Sequence, residues 1–176
     1  MNEIVEVLKN TKKEEQNKKS LDNGMIKLLL AMGAVFLAFF IVFGTVFASV
    51  YFNRLYWDYV GELSNSTIYA FKHNGVIVED GEDAYVIKGD KVYVLYKKLS
   101  NAEFGRVQNG FSKDADTISV DFGNGSSLRM WQAPKGNSYK DILYVHYTNT
   151  EGRVYKCNVE GTTLKDWRMF ARENAR

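Results

Sequence analysis

An uncharged apolar run dominates the hydrophobic pattern of the chain. The 25 residues from Leu28 to Phe52 include fifteen Leu, Ile, Val or Phe and no charged side chain. A helix of that length is about 37 Å long, and the hydrocarbon core of a membrane is roughly 30 Å thick. The run therefore predicts one transmembrane helix. The alternatives are a buried core helix or a signal peptide cleaved near Ala48 and Ser49, whose apolar region would normally be shorter.

The pattern changes after the apolar run to helical spacing with one polar face. Apolar residues recur at intervals of three and four positions from Phe52 to Leu63, which is typical of an amphipathic helix. We therefore predict a juxtamembrane helix over residues 53–64 that ends at Ser64-Asn65-Ser66. Its apolar face is expected to pack on the domain that follows, with a partner protein as the alternative.

Shorter β signals follow this helix. Thr67–Phe71 and Val76–Val78 flank Asn74-Gly75, a pair that accepts the positive φ angles of a hairpin turn. The pattern thus predicts a hairpin here, with further strands at Ala84–Lys88 and Phe104–Val107.

Two clearer hairpins are predicted in the second half of the chain. A three-residue loop around Asn124-Gly125 places the alternating apolar residues of both arms on one face, whereas a two-residue turn would separate them. A loop at Thr150-Glu151-Gly152 does the same for the second hairpin. The expected inward residues are Ile118, Val120, Phe122, Leu128 and Met130 in the first hairpin, and Leu143, Val145, Tyr147, Tyr155, Cys157 and Val159 in the second.

Two amphipathic helices complete the expected fold. Asp90 is a candidate N-cap for a helix ending at Ser100, although the valines in that segment also suit a strand. Thr163 and Asp166 resemble a capping box at the start of a helix from Leu164 to Asn174. We therefore predict an α+β domain, an antiparallel sheet of five to seven strands with one face covered by the Asp90–Ser100 and Leu164–Asn174 helices.

The placement of basic residues predicts the orientation in the membrane. Arg54 is the only basic residue in the fifteen positions after the apolar run, whereas six lysines precede the run. The lysines are Lys9, Lys12, Lys13, Lys18, Lys19 and Lys27. Basic residues mark the cytoplasmic side, so we expect a cell-membrane protein whose N-terminus is cytoplasmic. The expected parts are a Lys-rich tail (1–27), a transmembrane helix (28–52), the juxtamembrane helix (53–64) and an extracytoplasmic domain (65–176).

Composition and motifs exclude several classes of function. The formal net charge is only +2, which does not suggest a nucleic-acid partner. No phosphate loop, dinucleotide fingerprint, paired cysteines or HExxH motif occurs, so no cofactor, metal or catalytic activity is expected. The one cysteine, Cys157, is expected as a small core residue, with His146 on the opposite face of its hairpin. The acidic run Glu79–Asp83 reads as a solvated turn rather than a Ca²⁺ loop.

Two sets of residues are candidates for contacts with other molecules. Small residues along one face of the apolar run would let a second helix approach closely; they are Ala34, Ala38, Thr45 and Ala48. Basic and aromatic residues of the last hairpins and helix could form a surface for an acidic or anionic partner, with scattered solvated charge as the alternative. These residues are Arg129, Trp131, Tyr144, Arg153, Lys156, Arg168 and Arg172.

The stretch between Lys88 and Tyr155 also carries a resemblance. The phrases GDKVYVLYKKLSNAEFGRVQNG, TISVDFGNGSSLRMW and DILYVHYTNTEGRVY describe a helix followed by repeated hairpins. This order is similar to that of small uncharacterised, membrane-anchored extracytoplasmic domains of low-GC Gram-positive bacteria. The resemblance implies a location and a fold class, and no active site.

The sequence as a whole predicts a non-enzymatic, membrane-anchored binding or assembly module outside the cytoplasm. Its expected partners are the lipid bilayer and either another protein or further copies of the chain. The alternative is a structural single-pass subunit of a larger envelope complex, such as a conjugation or secretion apparatus.

Overall fold

The computed structural model describes residues 2–105, 116–132 and 141–175, with side chains from residue 23 onward. These residues form three helices and seven strands. They are α1 (Asn2–Lys72), β1 (Val76–Asp80), β2 (Asp83–Ile87), α2 (Asp90–Ser100), β3 (Ala102–Glu103), β4 (Thr117–Asp121), β5 (Ser127–Gln132), β6 (Ile142–Thr148), β7 (Val154–Glu160) and α3 (Leu164–Asn174). The α+β prediction is confirmed. The chain divides into two compact units, residues 1–49 and residues 50–176.

The first unit consists of the N-terminal part of α1. From Asn23 onward this helix is long and apolar enough to cross a membrane, and none of its most apolar stretch is buried. The large apolar side chains between Leu28 and Val46 are 50–70% exposed. A soluble environment would leave this surface in contact with water, at a cost of about 25 cal/mol for each Å².

The second unit is built on one antiparallel sheet with the strand order β2-β1-β4-β5-β6-β7-β3. The residues of α1 beyond position 49, together with α2 and α3, contribute to a single hydrophobic core on one face of this sheet. Tyr59 and Leu63 of α1 are fully buried in that core. The apolar face predicted for the juxtamembrane helix therefore packs on the domain, as expected. The other face of the sheet carries no helix among the described residues.

The two C-terminal hairpins have the predicted registers. Val120 lies opposite Leu128 in the first hairpin, and Phe122 N donates to Ser126 O at 3.2 Å, which closes a three-residue loop. In the second, Val145 lies opposite Cys157. The inward residues predicted for both hairpins are 0–3% exposed. Alternation fixed these registers, because a slip of one residue would move every apolar side chain to the open face.

The prediction for the end of the juxtamembrane helix is wrong. The structure continues α1 through Ser64-Asn65-Ser66 to Lys72, and the predicted strand at Thr67–Phe71 is helical. Thr67 Oγ1 donates to Leu63 O at 2.7 Å, a bond within the helix. The predicted hairpin at Asn74-Gly75 is replaced by one between β1 and β2, with its turn at Gly81-Glu82. Tertiary burial of one helix face here overrides the β propensity of Thr, Ile, Tyr and Phe.

Smaller differences concern the start of α2 and the strand after it. The N-cap is Gly89 and no side chain caps the helix, so Asp90 is the first helical residue instead of the cap. A carboxylate at that position still interacts favourably with the helix dipole. Ala102 and Glu103 form β3, and Phe104 and Gly105 follow it outside any strand. Arg106 and Val107, the rest of the strand predicted at Phe104–Val107, lie outside the described residues.

The C-terminal helix matches its prediction. Asp166 N donates to Thr163 Oγ1 at 3.2 Å and Thr163 N donates to the Asp166 carboxylate at 2.8 Å, which completes the capping box. The bonds from Thr163 hold the pKa of Asp166 below its ordinary value. Leu164, Trp167 and Ala171 are buried against the sheet.

Candidate partner surface on the open sheet face

A row of polar and charged residues crosses five strands on the face of the sheet that no described helix covers. The strand registers place Glu79 opposite Ser119, Ser119 opposite Arg129, Arg129 opposite His146, and His146 opposite Lys156. Adjacent strands lie about 4.8 Å apart, so Arg129 and Lys156 stand roughly 10 Å apart on either side of His146. The positive end of this row thus has one nitrogen-bearing side chain on each of three adjacent strands.

A shallow cavity of about 500 Å³ lies along this row. Its walls include the neighbouring row of Asp121, Ser127, Thr148 and Val154, in addition to the residues of the first row from Glu79 to His146. The cavity has acidic side chains, Glu79 and Asp121, on the β1 and β4 side, and basic ones on the β5 and β6 side. The hydroxyl groups of Ser119, Ser127 and Thr148 also line the cavity.

Among the described residues, the ion pairs do not involve the basic residues of the row. They join Arg153 to Asp58 and Arg168 to Asp80 and Asp116. Within the described residues, neither Arg129 nor Lys156 has a carboxylate partner. A bound anion could therefore pair with either cation without breaking an existing ion pair among these residues.

His146 lies between the two cations and is half-buried. Burial lowers its pKa, and the positive charges of Lys156 and Arg129 lower it further. Both effects favour the neutral form of the imidazole. It packs edge-on against the indole of Trp131, with ring centroids 4.6 Å apart. The ring is thereby fixed in orientation beside the cavity.

The aromatic part of the predicted surface differs from expectation at one residue. Trp131 and Tyr144 do lie on the open face, opposite one another on β5 and β6. Trp131 is only 2% exposed, however, and so it offers almost no contact area of its own. Its ring packs against those of Tyr144 and His146, at 5.8 and 4.6 Å between centroids. Trp131 therefore contributes to this face only through its packing, and Tyr144 is itself half-buried.

Three of the predicted basic residues lie away from this surface, namely Arg153, Arg172 and Arg168. Arg153 packs over the ring of Tyr155 at 4.8 Å and pairs with Asp58 of α1 at 3.8 Å. Arg172 donates to the hydroxyl of Tyr85 at 3.1 Å. Both positions belong to the side of the sheet that the helices cover, so the seven predicted residues do not form one continuous surface.

Arg168 of α3 forms hydrogen bonds with two carboxylates. Its Nε donates to both carboxylate oxygens of Asp80, at 2.8 and 2.9 Å, and its Nη2 donates to Asp116. These hydrogen bonds, to Asp116 and then to Asp80, raise the pKa of the guanidinium. Arg168 therefore ties α3 to the strands. One carboxylate of the acidic run Glu79–Asp83 thus serves a structural contact.

The residues that sequence analysis weighed for nucleophilic or metal chemistry lie apart from one another in the structure. Cys157 is 1% exposed, and burial raises the pKa of its thiol to about 12. His146 projects to the opposite face of the sheet, as predicted, because it neighbours Lys156 whereas Cys157 neighbours Val145. The part of the chain with described side chains holds no cluster of three His, Cys, Asp or Glu residues fit for a metal ion.

The small residues predicted for helix association all lie on α1. At 3.6 residues per turn, Ala34, Ala38, Thr45 and Ala48 fall within one face of the helix. The hydroxyl of Thr45 donates to Val42 O at 2.8 Å within the same helix. This face therefore presents small side chains, and the one hydroxyl among these four residues already has an acceptor within the helix.

A second groove, which is apolar, was not predicted from the sequence. This groove has a volume of about 390 Å³ and lies between the last turns of α1 and the start of α2. Its walls are Thr67, Ile68, Phe71, Asp90 and Tyr93. This groove was not predicted because Thr67–Phe71 was expected to form a strand.

The acidic end of the open face was not predicted either, because the pairing of β1 with β4 joins segments far apart in the chain.

Comparisons with known proteins give no relative for this fold. The chain matches no protein-family model, and neither a curated protein nor a solved structure is significantly similar to it. The function therefore has to be argued from the geometry alone.

Proposed function

We propose that this chain is a single-pass, membrane-anchored binding or assembly module that presents its α+β domain outside the cytoplasm. The domain acts by contact with another protein and not by catalysis. The observation that carries the proposal is the combination of an exposed apolar helix with a folded domain in which no described helix covers one face of the sheet.

The helix supports the membrane part of the proposal. Large apolar side chains between Leu28 and Val46 cover most of its circumference and are 50–70% exposed. Exposed apolar surface of this extent marks contact with a membrane or a partner. Six lysines on the N-terminal side favour a cytoplasmic N-terminus.

The open sheet face supports the binding part. Sheets in soluble domains commonly expose one polar face to water, but this face combines a concave surface with opposite charges at its two ends. The core face, by contrast, is filled by three helices. The open face is therefore the side of the domain on which a partner can dock without unfolding it.

Site-specific photo-crosslinking in intact membranes tests this proposal. A photoreactive residue replaces Lys156 on the open face or, as a control, Lys165, which is exposed on α3. We expect a discrete crosslinked protein from position 156 and none from position 165. Equal patterns from both positions, or no crosslink from either, would contradict a binding role for the open face.

Purification in mild detergent then separates the proposed module from the structural alternative. A module should be recovered with the one partner identified by crosslinking, or as a homo-oligomer. Recovery in a stoichiometric assembly of several different membrane proteins would instead favour a subunit of an envelope machine.

A further inference from the structure

We propose that the open-face cavity recognises a protein segment that carries a carboxylate and, roughly 10 Å away, a basic side chain. This inference rests on the proposed function and specifies the chemistry of the partner. It follows from the charges along the row from Glu79 to Lys156.

The positive end of the row fits a carboxylate. Arg129 can donate two parallel hydrogen bonds to such a group, and Lys156 adds a second positive charge on the far side of His146. Neither cation is neutralised by a carboxylate among the described residues. The hydroxyls of Ser127 and Thr148, which lie opposite one another on β5 and β6, are further donors at the cavity wall.

The negative end fits a basic side chain. Glu79 stands two strand spacings from Arg129 in the same row, across Ser119, which is roughly 10 Å. Asp121 lies on the same face of β4, two residues beyond Ser119, and its carboxylate also accepts from Gly123 N at 2.8 Å. A Lys or Arg of the partner placed here would be attracted by two carboxylates.

The same two carboxylates disfavour a polyanion. A polymer with repeated negative charges could bind at Arg129 and Lys156, but its continuation across the cavity would meet Glu79 and Asp121 and be repelled. A protein segment with mixed charge avoids this repulsion. In an extended segment, side chains four residues apart point to the same side and their Cα atoms lie about 13 Å apart, so the flexible side chains of a Glu and a Lys at this separation can reach both ends of the cavity.

Peptide titrations test the inference on the full chain in nanodiscs of neutral phosphatidylcholine. The probes are a fluorescent decapeptide with one Glu and one Lys four residues apart, the same peptide with Glu in place of Lys, and inorganic polyphosphate. Fluorescence anisotropy measures the two peptides directly, and polyphosphate is measured by calorimetry. We expect the mixed-charge peptide to bind more tightly than either of the other probes.

Two variants test the two ends of the cavity. The second should change the affinities for the two peptides in opposite directions. Arg129→Gln should weaken the mixed-charge peptide roughly ten- to a hundredfold, the range expected for a hydrogen bond to a charged group. Glu79→Gln should weaken the mixed-charge peptide several-fold and strengthen the all-Glu peptide. Lys165→Gln and Glu173→Gln, which change exposed charges on α3, should change neither affinity. Thermal unfolding of each variant controls for folding.

Three results would overturn the inference. The first is no binding of the mixed-charge peptide at millimolar concentration, and the second is binding that Arg129→Gln does not weaken. The third is tighter binding of polyphosphate that Glu79→Gln strengthens, which would identify a polyanion site. If crosslinking still locates a protein partner on the open face, each of these results rejects the stated partner chemistry and leaves the proposed function in place.

Discussion

At the scale of single residues, the least predictable feature is a buried polar network between α1 and the sheet. The hydroxyl of Tyr147 donates to Glu62 O at 3.1 Å and lies 2.8 Å from Ser66 Oγ. Ser126 Oγ in turn donates to Ser66 Oγ at 2.7 Å. Ser66 reads in the sequence as part of a helix stop, because serine favours caps and turns. Only the tertiary contact shows that its hydroxyl has partners inside the core.

We expect Tyr147→Phe to lower the free energy of unfolding by about 1–3 kcal/mol. The change leaves buried donors and acceptors around Ser66 and Glu62 without one partner, and that desolvation cost is of this size. Tyr144→Phe is the matched control, since Tyr144 lies on the same strand and on the open face. Urea denaturation measures both variants. Equal stability of the Tyr147 variant and the parent would show that the network does not hold α1 to the sheet.

At the scale of elements, prediction succeeded where a pattern is local and failed where packing decides. The two C-terminal hairpins were correct because strict alternation admits one register with all apolar residues inward. The end of α1 was wrong because Thr67–Phe71 has β propensity, and its helical state depends on burying Thr67 and Ala70 against the sheet. Burial of that kind is not visible in a local pattern.

The turn after α1 provides a test of this packing. Gly75 has a φ of 85°, and a Cβ at this position would lie 2.2 Å from Ile87 O, so both the conformation and the space require glycine. Gly81 also has a positive φ, of 66°, but no atom lies within 4 Å of its would-be Cβ. Gly81→Ala should therefore cost about 1–2 kcal/mol for the left-handed conformation alone.

Gly75→Ala should cost clearly more than Gly81→Ala, because the backbone of β2 must also move. The difference between the two melting temperatures, measured by circular dichroism, isolates the steric part. Equal losses of melting temperature would mean that the turn at Gly75 does not pack against Ile87 of β2.

At the scale of the whole molecule, the sheet order could not be read from the sequence. β1 pairs with β4 across α2 and β3, and β3 pairs with β7 across three strands. Such pairings leave no local pattern, and loop closure between distant segments has a cost that no single motif reports. The consequence is functional, because the pairing of β1 with β4 brings Glu79 into the row of Arg129 and gives the open face its two charged ends.

The orientation of the chain can be tested with its own cysteine as an internal blank. Cys157 is 1% exposed, and burial raises its pKa to about 12, so a membrane-impermeant maleimide should leave it unlabelled in the folded protein. A cysteine introduced by Glu151→Cys, in the exposed loop between β6 and β7, should then report the domain alone. We expect it to be labelled on intact cells.

A second cysteine, introduced by Thr11→Cys among the N-terminal lysines, should be labelled only after the membrane is permeabilised. The physical reason is the retention of basic residues on the cytoplasmic side during insertion. If position 11 is labelled on intact cells and position 151 only after permeabilisation, the domain is cytoplasmic. The proposed presentation of the open face outside the cell would then be wrong, although the geometry of that face would still specify which charges its partner must carry.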